Sequence, residues 1–131
     1  MIEVAGGVAL EEKILQWRLA IALLCGDSGV EVVVWDGAGG VPGAELGSQF
    51  VDMQTISANV AVLGGTDIVF DTPVPVNNEY FLGFKIPDPS TGDTIVIITS
   101  TIGDIAEGSA WEQWSDGSWH SYKSSWGVDM V

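Results

Sequence analysis

The residues of this chain that could do chemistry are few, and they crowd toward one end. The segment AWEQWSDGSWHSYKSSW, from Ala110 to Trp126, holds four of the six tryptophans and the single histidine, His120. Large rings with a polar edge can stack on the faces of sugars, with neighbouring amides or carboxylates fixing orientation. They can equally fill the core of a terminal hairpin as cross-strand pairs. Trp111, Trp114 and Tyr122 are the ligand-binding candidates on the first reading, with Gln113 and Glu112 as polar companions.

Which rings share a face depends on the turn. If Asp116-Gly117 forms a two-residue type I′ turn, Trp114 opposes Trp119 and Trp111 opposes Tyr122. One aromatic pair then points away from the core, because only one face of a packed sheet is covered. A bulged three-residue turn through Ser115, Asp116 and Gly117 instead opposes Trp114 to Ser118 and Gln113 to Trp119. Both registers remain open here. Trp119 is expected in the core and at least one of Trp111 and Trp114 outside it.

Catalysis needs a placed acid, base or nucleophile. Glu107 and Glu112 could be imagined as a glycosidase pair, yet nothing in their spacing sets them across a cleft as glycoside hydrolysis requires. Cys25, the single cysteine, follows an apolar run that would raise a thiol pKa and so makes a poor dyad with His120. No enzyme is expected and no catalytic residue is assigned. With one cysteine, neither an internal disulfide nor a Cys/His zinc site can form.

Calcium is the cofactor the loops could hold, since hard cations want several oxygens beside free backbone carbonyls. WDGAGG offers Asp36, DPSTGD offers Asp88 and Asp93, and GDIAEG offers Asp104. None of the three reproduces the spaced oxygen pattern of a calcium-binding loop, and a fold without any cofactor is the simpler expectation.

These side chains must be carried by a small domain. The chain has 131 residues, 47% of them hydrophobic, enough for a core without staples. Its 18 acids against four cations give a net charge of -14, a field that repels phosphate backbones and anionic lipid. Nucleic acid is therefore excluded as a partner. No apolar run reaches membrane-span length, so no membrane insertion is expected.

From Gly29 onward, short runs of Val, Ile, Phe and Thr alternate with Gly, Pro, Asp, Asn and Ser, the punctuation of an all-β sandwich or barrel. EVVVWD is the first clear strand. GAGGVPGAELGS turns the chain, with Pro42 and then Gly43 at its corners, and a strand through Gln49 to Met53 returns. ANVAVLGG and TDIVFDTPVPV follow as apolar runs, and NNEYFLGFKI alternates as a half-buried antiparallel strand. TIVIITS reads as a central strand, the tryptophan segment as a hairpin, and GVDMV as a closing strand.

The N-terminal part spells differently. Leu10, Ile14, Trp17, Ile21 and Leu24 fall on one helical stripe within ALEEKILQWRLAIALL, although a strand of the sandwich is the tertiary alternative. Residues 1–28 are thus an N-terminal segment that is helix or first strand, and residues 29–131 a β-sandwich module, together one domain. LAIALLCGD has the outline of a lipoprotein signal, but Leu23 and Leu24 stand where small residues belong and acids where positive charge belongs.

Four stretches, VEVVVWDGAGGVPGAELGS, DTPVPVNNEYFLGF, GDTIVIIT and AWEQWSDGSWHSY, resemble in order and spacing the non-catalytic β-sandwich modules of large secreted Bacteroidetes proteins, cargo of type IX secretion. The likeness runs from about Gly29 to the end; the helix-like Ala9 to Leu24 departs from it. It implies an antiparallel, jelly-roll-like sandwich, extracellular or at the cell surface, cut from a longer chain. The implied role is a structural or adhesive module whose partners are neighbouring domains. Binding a glycan through the C-terminal aromatic rings is the alternative.

Overall fold

A computed structural model describes residues 2–8, 13–19, 21–25, 29–62, 65–77, 79–85, 94–97 and 109–128; the side chains of residues 1–28 and 94–97 lie outside that description. The protein is built mainly of strands in antiparallel sheets, with few helices. The strands are β1 (Ile2–Val8), β2 (Lys13–Leu19), β3 (Ile21–Cys25), β4 (Val30–Asp36), β5 (Glu45–Val51), β6 (Thr66–Pro75), β7 (Glu79–Lys85), β8 (Thr94–Ile97), β9 (Ala110–Gln113) and β10 (Trp119–Ser121). Two helices complete the described elements, α1 (Met53–Ala61) and α2 (Tyr122–Trp126).

Six strands form one sheet in the order β10-β9-β1-β7-β4-β5; β2 pairs with β6 and β3 with β8. Where it is described, the helix-like N-terminal stretch is strand: β2 and β3 each find a partner far along the chain. Helix propensity is worth tenths of a kcal/mol per residue, and long-range ladder pairing outweighs it. The reverse happens after β5. Asp52 caps a helix by accepting from the Thr55 amide at 2.9 Å and its hydroxyl at 2.8 Å, so Met53 and the start of ANVAVLGG are helical rather than extended.

The β4–β5 turn also differs from expectation. Gly37 and Gly40 close it through a 2.8 Å hydrogen bond, and the positive φ of 70° falls on Gly40 rather than on Gly43 after the proline. In GVDMV, expected as a closing strand, Gly127 and Val128 follow α2 without strand structure, and its last three residues lie outside the described ones.

β4 is buried on both faces, which explains its unbroken valine run. Val30, Val32 and Val34, with Phe84 of β7, pack against Ile56 of α1 and Ile68, Phe70 and Val74 of β6 to make the main core. Each such side chain contributes about 1.5–3 kcal/mol on burial. Val33, Trp35 and Phe81 point to the opposite face and form a second, smaller cluster. On that face Lys85 ties β7 to β4 through Glu31 at 3.2 Å and reaches past it to Glu45 of β5 at 3.0 Å. Among the described residues no helix is long and apolar enough to cross a membrane.

Candidate ligand-binding site

The hairpin β9–β10 forms the outer edge of the large sheet, and its turn is the bulged one. Trp114 opposes Ser118, its amide donating to the Ser118 carbonyl at 3.0 Å, and Gln113 pairs with Trp119. Gly117 donates to the Trp114 carbonyl and takes φ 85°, the left-handed position a three-residue hairpin loop needs. Asp116 does not sit in a two-residue turn; its carboxylate accepts from the Ser118 amide at 2.9 Å and hydroxyl at 2.6 Å. The pairing of Trp114 with Trp119, and of Trp111 with Tyr122, is thereby overturned.

This register sorts the rings. Trp119 meets Trp35 edge-on at 5.5 Å and Trp111 meets Phe81 edge-on at 6.4 Å, so both join the smaller cluster as half-buried members. Tyr122 is buried and offers no face to a ligand. Trp114 is 51% exposed and Trp126 61% exposed. Of the residues singled out for ligand contact, Trp114 and Gln113 therefore line the site, Trp111 is turned to the cluster and Tyr122 is inside.

Trp126 was not among them, and its position follows from α2. Ser121 accepts from the Ser124 amide at 3.2 Å as the N-cap, and Gly127 ends the helix at φ 74°. The signal was present in the sequence as a serine cap and a terminal glycine bracketing YKSSW. That single helical turn folds the chain back, and Trp126 Nε1 donates to Glu112 Oε1 at 3.2 Å. Trp114 Nε1 donates to the same oxygen at 3.0 Å.

Glu112 is 1% exposed. Burial raises its carboxyl pKa, but the Trp114 indole, the nearby Ser125 hydroxyl, the Trp126 indole and the charge of His120 together hold it below its ordinary value. Ser125 Oγ acts by proximity, for it is buried without a hydrogen bond of good geometry. An ionised carboxylate so placed is no general acid, which needs the opposite shift.

His120 stacks on Trp114 with ring centroids 3.8 Å apart and planes 19° from parallel. Its Nε2 lies 2.7 Å from Ser118 Oγ. Because the Ser118 hydroxyl already gives its proton to Asp116, Nε2 is the donor to Ser118. The order Asp116, Ser118, His120 sets the hydroxyl between acid and imidazole, where no nucleophile–base–orienter relay can run.

These groups surround a hollow of about 770 Å³ lined by Trp114, Trp126, Glu112, Gln113 and His120, with Ser115, Ser124 and Ser125. That volume lies in the range of small-ligand sites. Asp36, the calcium candidate within the described residues, accepts from the Ala38 amide at 3.2 Å across the β4–β5 turn. Among the described residues no three His, Cys, Asp or Glu side chains gather around a metal position. Asp88, Asp93, Asp104 and Glu107 lie outside the described residues.

The chain matches no known family, and neither a curated protein nor a solved structure is significantly similar to it.

Proposed function

We propose that this protein is a non-catalytic carbohydrate-binding module of a secreted or cell-surface protein, an antiparallel sandwich of jelly-roll type that takes a glycan in the hollow between Trp114 and Trp126. One observation carries the reading: two indoles, each more than half exposed, are tethered through their N–H groups to one buried carboxylate. Exposed rings of that size leave apolar surface in water, and fixing them in advance lowers the entropy cost of stacking a sugar on them. Gln113 and the serines of the hollow supply donors and acceptors for hydroxyl groups. The main core between the six-stranded sheet and the layer of β6 and α1 supports the sandwich architecture.

A structural or adhesive module that spaces neighbouring domains is the second reading. The packing of Trp111 and Trp119 against the smaller cluster and the burial of Tyr122 favour it, since three of the segment's rings are already spent on stability. Tryptophan fluorescence titrated with a panel of polysaccharides separates the two. A saturable spectral change with any glycan, lost in Trp114→Ala and Trp126→Ala, supports the binding module. No change with any glycan leaves the spacer.

A further inference from the structure

The hollow is anionic as well as aromatic. Among the described residues Glu112 is the carboxylate that lines it and no lysine or arginine does so, and the whole chain carries a net charge of -14. His120, which also lines the hollow, has its Nε2 turned to Ser118, whose proton goes to Asp116. That imidazole lies flat on one face of Trp114, which leaves the indole's other face to a ligand.

The tethering of the rings acts in the same sense. An indole that donates its N–H to a carboxylate is polarised by it, and electron density moves toward the ring faces. Cations are drawn to tryptophan faces by that density, and clusters of aromatic faces are a recognised way to hold quaternary ammonium groups. Here both rings donate to the same Oε1, so both faces are enriched by one buried charge. A neutral sugar would use the rings and ignore the charge; an amine-bearing sugar uses both.

We infer that the glycan taken by this hollow carries protonated amines, as in glucosamine polymers free of N-acetyl groups, with the ammonium held over Trp114 and Trp126 above Glu112. This rests on the carbohydrate reading proposed above.

The test is a fluorescence and calorimetric titration of the full chain with glucosamine oligomers, their N-acetylated counterparts of equal length and glucose oligomers, at physiological salt. The amine oligomers are expected to bind roughly tenfold or more tightly than either neutral set. Trp126→Ala keeps the net charge and removes an exposed ring, so it should abolish that preference while leaving any diffuse attraction to an acidic protein intact. Glu112→Gln should reduce the preference by a similar factor; if it does not fold, Trp126→Ala alone decides. Equal binding of acetylated and free amines overturns the inference and leaves the glycan reading standing. Failure of every oligomer to bind overturns both. Retention of amine binding in Trp126→Ala, or equal binding of lysine oligomers at the same rings, overturns it in favour of charge alone or a protein partner.

Discussion

Trp126 donates its indole N–H to Glu112 Oε1 at 3.2 Å from fourteen residues further along the chain, closing α2 onto β9. The carboxylate is buried, so its removal is felt twice: the space it fills is lost, and two indole donors lose their shared acceptor. Glu112→Ala should therefore lower unfolding stability by about 1–3 kcal/mol. Glu112→Gln, which keeps an acceptor oxygen, should cost less. Urea unfolding followed by tryptophan emission measures both, and an unchanged midpoint in Glu112→Ala would show the tether to be incidental.

The same carboxylate makes the fold sensitive to acid. Despite burial, which works upward, hydrogen bonds and the charge of His120 hold Glu112 below its ordinary 4.5. Asp116, through the Ser118 hydroxyl and amide, and Asp52, through the Thr55 amide, are also lowered from 3.8. A carboxyl whose folded pKa is depressed adds stability while ionised, in full above its unfolded value, and that stability is withdrawn as pH falls through the folded value. The unfolding midpoint should respond little to these groups from about pH 7 to pH 5 and drop as pH falls below about 4.5. In Glu112→Gln the drop should be shallower, and an identical profile would remove Glu112 from it.

The hairpin rings should separate into two classes on mutation. Trp119→Ala removes the edge-on partner of Trp35 at 5.5 Å and opens the smaller cluster, with an expected loss of about 3 kcal/mol. Trp126→Ala deletes a ring that is 61% exposed and should cost under about 1 kcal/mol. Ligand binding should show the opposite ranking, failing in Trp126→Ala and surviving in any Trp119→Ala protein that folds. Thermal melts paired with glycan titration of the two variants read both orders, and parallel losses would mean that the hollow is structural.

How much of this was legible beforehand depended on whether a local signal and the tertiary contact agreed. In β4 the valine run and in β7 the alternation of Tyr80 to Lys85 each marked a strand, and both became inner strands of the large sheet. The half-buried face expected of β7 did not follow, because Phe81 and Gly83 are buried as well as Phe84. In residues 13–25 the helical stripe misled, because β2 and β3 are fixed by partners 47 or more positions away that no local pattern reveals. Asp52 did carry a signal, a cap three residues before Thr55, that the apolar run behind it masked. At the site, the turn composition allowed two registers, and the hydrogen bonds of Asp116 with Ser118 chose between them. Trp126 was missed because its role needs a one-turn helix only five residues long.

Gly117 holds the left-handed position of that turn. Its φ of 85° is one that a side chain adopts with strain, although the space beyond its Cα is open. Gly117→Ala should accordingly cost about 1–2 kcal/mol from backbone strain alone, with no steric contribution. Gly117→Asn, whose side chain tolerates the left-handed region, should cost less. The alternative for the alanine variant is to relieve the strain by slipping one residue, which would turn Trp114 toward Trp119 and carry its indole away from Glu112. Near-ultraviolet circular dichroism distinguishes these outcomes, since the edge-on Trp35 and Trp119 pair gives a signal that a strained but unshifted hairpin keeps. Retention of that signal with a lowered melting temperature is expected. Loss of the signal would show that Gly117 sets the register itself, and glycan binding should then disappear with it.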